Sequence, residues 1–329
     1  MDLRRLPKVE LHLHLDCSMS YRLASRLQPS LTRSQFDEEF IAPARCTNLA
    51  DFLKRPPKII ALMQTEENLR ASVDDLFQQL QKDNVIYVEP RFAPLLHQDN
   101  GLKPQEVVEI VDSAVDLASK QSGIQAGLIL CTLRHYSTAQ SMETVKLVEQ
   151  FRGRRVVALD IAGDEAGYPV DAHVPAFAYA AEKKLGRIAH AGEALGPESV
   201  WESLKHFTPS RIGHGTRSTE DPALMEHLRK TGIHLEVCPS SNIQTNMYER
   251  YEDHPIRDFA DSGISFNVNT DCRTVNNLTL TDEYERLHQA FRWQKEFLQA
   301  NLYGVRASFA PEPVKLELAE RLTQAYSDL

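Results

Sequence analysis

Short apolar runs alternate along this chain with longer stretches in which apolar residues recur every three to four positions. The short runs are Val9–His14, Val85–Phe92, Gln125–Cys131, Val156–Asp160, Arg187–His190, Arg211–Gly213, His234–Val237 and Ser265–Asn269. They are rich in Val, Ile, Leu or Phe and bounded by Gly, Pro or polar turns, so they predict strands. The longer stretches predict helices: Thr65–Lys82, Pro104–Lys120, Met142–Phe151, Ala172–Lys184, Pro197–His206, Pro222–Lys230, Thr281–Gln299 and Pro311–Tyr326. Two of them open on Gly196-Pro197-Glu198-Ser199 and Glu220-Asp221-Pro222. There a proline suits the first helical position and an acid suits the positive end of the helix dipole.

Eight strands alternating with helices predict parallel βαβ units. The expected fold is α/β, a closed (β/α)8 TIM-type barrel. The rival is an open doubly wound sheet, which often carries a Gly-rich dinucleotide loop, and the chain has no GxGxxG. The stretch from His14 to Val85 is helical in pattern and too long for an ordinary βα loop. On a barrel these extra helices, inserted after strand one, fall on the C-terminal face and form a lid over a site. No repeat or long flexible linker divides the chain, so residues 1–329 read as one domain.

Composition narrows the setting. The chain is 42% hydrophobic and 25% charged, as in ordinary globular proteins. No apolar run approaches the ~18 residues of a membrane span. The opening Met-Asp-Leu-Arg-Arg-Leu-Pro-Lys lacks the apolar core of a signal peptide. A net charge of −9 provides no global basic footprint for nucleic acid. The cysteines (Cys17, Cys46, Cys131, Cys238, Cys272) are scattered, odd in number and without a CxxC pair, which points to a reducing cytoplasm. Neither nucleic acid nor a membrane is expected as a partner, and the oligomeric state is left open.

The chemistry gathers at strand ends. In Glu10-Leu11-His12-Leu13-His14, alternate residues share a face, so His12 and His14 present two imidazoles side by side. Imidazole is a common zinc ligand. His190-Ala191-Gly192-Glu193 follows the fifth strand, Arg211-Ile212-Gly213-His214-Gly215 the sixth, and Asn267-Val268-Asn269-Thr270-Asp271 the eighth. Each has a bland reading alone: His190 as a turn residue, Glu193 as a helix N-terminal acid, Asp271 as a cap. Together they fall where barrel active sites are assembled. Three imidazoles and one carboxylate suit one zinc with a place for water, leaving a glutamate and a histidine for proton transfer. Strand four ends at Asp160 with no lysine nearby to bridge a second metal, so one ion is expected.

Leu6-Pro7-Lys8-Val9-Glu10-Leu11-His12-Leu13-His14-Leu15-Asp16 resembles the opening of adenosine deaminase and its relatives. So do Ala162-Gly163-Asp164-Glu165, His190-Ala191-Gly192-Glu193, Arg211-Ile212-Gly213-His214-Gly215, Cys238-Pro239-Ser240-Ser241-Asn242 and Asn269-Thr270-Asp271, in family order and spacing. The resemblance implies a barrel and metal-dependent removal of a purine 6-amino group. By position, it implies His12, His14, His190 and Asp271 as ligands of one Zn2+. It implies Glu193 as the acid that protonates purine N1 and His214 as base or electrostatic partner of the activated water. It implies Gly163 as the backbone donor to purine N3 and Asp16 as a ribose contact. The expected substrates are adenosine and 2′-deoxyadenosine. The alternatives are another 6-aminopurine nucleoside such as aminodeoxyfutalosine, or N6-methyl-AMP or adenine. A different amidohydrolase or a non-catalytic relative is a more distant alternative.

Two positions depart from the family pattern. Cys272 stands where a second aspartate usually donates to purine N7, and a thiol is a weak donor. Arg273, Asn276 or a water is the expected substitute. Cys17 stands where the family has glycine, so a side chain reshapes the sugar end of the pocket, and the two cysteines are expected near each other and the metal. The other histidines (such as His97, His135, His173 and His254) read as surface or structural, and the aromatic residues of Phe36–Phe52 as core at helical spacing, with the lining of a ribose pocket as the alternative.

Overall fold

The computed structural model describes residues 2–327. The apolar runs become eight strands, β1 (Lys8–His14), β2 (Val85–Phe92), β3 (Leu128–Leu133), β4 (Val156–Ala162), β5 (Gly186–Ala191), β6 (Arg211–His214), β7 (His234–Val237) and β8 (Phe266–Val268). Each pairs in parallel with the next in sequence order, and helices return the chain between them.

Side chains stitch the seam between β8 and β1. Asn269 Oδ1 accepts from the N–H groups of Leu11 at 2.8 Å and His12 at 3.1 Å. His14 N–H donates to Asp271 O at 2.8 Å, and Asp271 N–H donates to His12 O at 3.0 Å. These contacts close the (β/α)8 barrel.

The barrel interior is ionic. Alternate residues Tyr87, Glu89 and Arg91 of β2 turn toward the axis. Arg91 donates to Asp160 and Glu236, each at 2.6 Å, and Arg211 pairs with Glu89 at 2.6 Å and Glu236 at 2.7 Å. All five side chains are fully buried. The opposite faces of the strands pack under the helices through residues such as Val88, Phe92, Leu130 and Leu159.

The extra helices after β1 are Tyr21–Leu27, Arg33–Glu39, Leu49–Phe52, Pro56–Ile60 and Glu66–Lys82. The last opens on Thr65, whose hydroxyl accepts from Asn68 N–H at 3.2 Å. Pro56–Ile60 packs against the turn Leu15–Cys17 at the end of β1, which sets the insertion over the barrel mouth.

Three boundaries differ from expectation. The run Gln125–Cys131 is two pieces, Gln125–Ala126 and β3, divided at Gly127. A Cβ there would meet Val157 at 3.0 Å, so the strand passes its neighbour too closely for a side chain. Thr281–Gln299 is two helices, Leu280–Phe291 and Lys295–Ala307, because Arg292 turns left-handed at φ 60°. The helix expected from Met142 begins at Thr138, where Ser137 and Gln140 form a capping box.

Candidate active site

The residues singled out at the strand ends converge on one cavity of about 570 Å³ at the C-terminal face of the barrel. His14, Asp16, Gly163, His190, Glu193, His214, Asp271 and Cys272 line it, and His12 lies fully buried beneath. His214, the last residue of β6, and Asp271, three residues after β8, have left-handed backbone, at φ 62° and 63°. Such a turn costs about 1–3 kcal/mol for a side-chain-bearing residue. Here it brings both side chains over the barrel axis.

His12, His14 and His190 bring ring nitrogens within 4.8 Å of one another. His12 Nδ1 lies 2.9 Å from Glu236 and His190 Nδ1 3.2 Å from Asp160. A carboxylate only accepts, so each Nδ1 carries the ring proton and each Nε2 is left as a lone pair. His12 Nε2 has no hydrogen-bond partner although it is buried. His14 Nε2 faces His190 Nε2 at 3.2 Å, and burial holds both rings below their ordinary pKa. Asp271 Oδ1 lies 3.4 Å from His12 Nε2 and 3.5 Å from His14 Nε2, while its Oδ2 accepts from Ser241 at 2.7 Å. Lone pairs and a carboxylate meeting in a dry space fit a divalent cation with nitrogen and oxygen ligands.

Glu193 faces this cluster from the β5 end. Its Oε2 lies 3.6 Å from His214 Nε2. Burial, then the nearby carboxylates of Asp271 and Glu165, push its pKa well above the ordinary glutamate range. Its loop is held from below by Glu165, which accepts from Gly192 N–H at 2.7 Å, Glu193 N–H at 3.0 Å and Leu195 N–H at 2.9 Å, and from Ala194 N–H and the Ser199 hydroxyl.

The chain matches the family model described as adenosine deaminase over residues 7–325. The chain belongs to the adenosine deaminase family. An adenosine deaminase of Clostridium perfringens (strain 13 / Type A) is 36% identical over 326 residues, 97% of this chain and 98% of that protein. Another, of Lacticaseibacillus casei (strain BL23), is 34% identical over 332 residues, 99% of this chain and 98% of that one. Among solved structures, an adenine deaminase from Arthrobacter aurescens superposes with a TM-score of 0.90 at 25% identity, covering 97% of this chain and 98% of that chain.

Asp16, expected as a ribose contact, lines the cavity and accepts from Ala93 N–H at 3.2 Å. Burial raises its pKa to about 6. Neither Arg273 nor Asn276, the expected substitutes for an aspartate at position 272, lines the cavity. Arg273 is committed to Glu10 at 2.6 Å and Asp83 at 3.0 Å, and Asn276 to Cys272 N–H and to Gln244. The Cys272 thiol is the polar group left there. Burial holds its pKa well above the ordinary thiol value, and it donates to Asp271 Oδ1 at 3.7 Å. His135, expected at the surface or in a structural role, lines the cavity, as does Phe52.

Residues with no site role assigned from sequence complete it: Asp160 and Glu236 behind the imidazoles, and, within or after the quoted motifs, Glu165 under Glu193, Ser241 behind Asp271, and Asn242 and the structural His254 behind His214. The signal for Asp160 and Glu236 was a charged residue inside an apolar strand, which in a barrel means a side chain on the axis.

Proposed function

We propose that this chain is a hydrolase that removes the 6-amino group of adenosine and 2′-deoxyadenosine, releasing inosine or 2′-deoxyinosine and ammonia. One zinc ion is held by His12, His14, His190 and Asp271. The observation that carries the reading is Glu193, a buried carboxyl 3.6 Å from His214 beside the converging imidazoles, whose pKa burial pushes well above the ordinary glutamate range.

Purine C6 is a poor electrophile until N1 takes a proton. A glutamate with a raised pKa holds that proton at neutral pH. When bound, the ion supplies a water activated at neutral pH. Asp271, steadied by Ser241, orients this water toward C6. The Gly163 N–H takes purine N3, Asp16 the ribose, and the Cys272 thiol stands at the N7 side as a weak donor.

The cavity wall carries Asp16, Asp99, Asp164, Glu193 and Asp271, and no lysine or arginine among the described residues. A 5′-phosphate would meet no cationic side chain there, only the further acids Asp16, Asp99 and Asp164, so a nucleoside is favoured over a nucleotide. No helix among the described residues is long and apolar enough to cross a membrane. The five buried, unbridged cysteines suit a reducing cytoplasm.

The test is amine release by metal-assayed protein offered adenosine, 2′-deoxyadenosine, aminodeoxyfutalosine, AMP, N6-methyl-AMP (which would yield methylamine) and adenine, with Glu193→Gln as control. Turnover of adenosine and 2′-deoxyadenosine, lost in the variant, is expected. Silence on adenosine with turnover of another compound would move the substrate and implicate Cys17 and Cys272. Silence on all six with metal bound would overturn the reading.

A further inference from the structure

The side of His214 that faces away from the cavity meets a chain of buried polar groups whose polarity is set by the backbone. Ile256 N–H lies 3.1 Å from His254 Nδ1. A backbone N–H only donates, so His254 Nδ1 accepts and carries no proton. Protonating it would set two N–H groups against each other in a dry site. Burial accordingly holds the His254 pKa down to about 3.

The remaining ring proton of His254 is on Nε2, 3.2 Å from the side-chain oxygen Oδ1 of Asn242. That contact orients the amide, since its oxygen must face the donor. The Asn242 Nδ2 group is then 3.1 Å from His214 Nδ1 and has only protons to offer. His214 Nδ1 must accept, so the proton of the neutral His214 ring is on Nε2, the nitrogen turned toward Glu193. Asn242, His254 and His214 are all buried, which removes water as an alternative partner.

We infer that Asn242 and His254 are positioning residues that fix the Nε2–H tautomer of His214, so that this ring meets the attacking water as a hydrogen-bond donor and not as the base that takes its proton. The part played in the reaction rests on the deaminase reading above, but the tautomer does not.

Asn242→Asp tests this with little change of shape. An aspartate accepts from both rings, leaving neither unpaired, and so calls for Nδ1–H on His214. In metal-loaded, 15N-histidine-labelled protein, His214 is assigned by difference against His214→Gln. The wild type is expected to show an unprotonated Nδ1 and a protonated Nε2, and Asn242→Asp the reverse. With adenosine, kcat of Asn242→Asp is expected to fall about 10²–10³-fold with KM little changed, the span of one lost stabilising hydrogen-bond donor. His254→Gln still offers an N–H to Asn242 and is expected to retain most of kcat, whereas His254→Leu is expected to lose it.

Nδ1–H on His214 in the wild type would overturn the assignment. So would an Asn242→Asp protein that keeps the wild-type tautomer, or one that reverses it at full kcat. If the wild type turns over no purine, the function proposed above falls, while the nitrogen spectra still decide the tautomer.

Discussion

Glu193 shows how much of this site depends on one environment. In the proposed reaction it serves as an acid only while protonated, and its pKa is raised by burial and by the carboxylates of Asp271 and Glu165. The rate is therefore expected to be full below that raised pKa and to fall as pH rises through it; a rate that climbs with pH across the neutral range would remove Glu193 as the acid. Glu236 acts at one remove. It holds the Nδ1 proton of His12 at 2.9 Å, so Glu236→Gln is expected to weaken metal affinity about 10–100-fold, measured by chelator competition. An unchanged affinity would leave Glu236 with a structural role only. At this scale the sequence was legible wherever a residue stands in a compact motif: His12 with His14, His190 with Glu193, and Asp271 after its asparagines. The roles of Asp160, Glu236, Asn242 and His254 were not legible, although Asn242 stands in a quoted motif, because their partners lie on other strands and loops and only closure of the barrel brings them together.

The strands act as spacers whose thickness matters. Gly213 of β6 passes between two of the converging histidines: a Cβ there would meet His12 Cε1 at 2.9 Å and His190 Cα at 3.3 Å. Gly213→Ala is expected to displace the His12 ring, to cost about 1–3 kcal/mol as an overpacked core does, and to lower metal occupancy. Thermal unfolding with metal analysis checks both, and a fully loaded variant of wild-type stability would show that the strand yields instead. Element type was readable from periodicity along most of the chain. Ends and breaks were not. The division at Gly127 and the left-handed turn at Arg292 depend on contacts with Val157 and on backbone geometry, which leave no trace in the spacing of apolar residues. The very short runs at β5 and β6 were readable mainly because polar motifs follow them.

Across the whole molecule, the barrel axis is a column of paired charges that runs into the floor of the cavity, since Glu236 contacts Arg91, Arg211 and His12 together. Lone pairs crowded above that column favour a bound cation, so metal should stabilise the fold. At a hundredfold excess over Kd the gain is about 2.7 kcal/mol. Stripping with a chelator is expected to lower Tm and zinc to restore it, and a Tm indifferent to both would argue against a site built to hold an ion. The seam between β1 and β8 bears on how the protein is made. His12 and His14 are synthesised near the start of the chain, and Asp271, which both bonds to β1 and faces those imidazoles, emerges after almost every other strand. Through most of translation, the leading histidines wait beside an open edge with no carboxylate to complete their set. Closing the edge is thus a late event in the making of the chain, and a chain released before Phe266 is expected neither to close the barrel nor to present the full set of groups proposed for the ion.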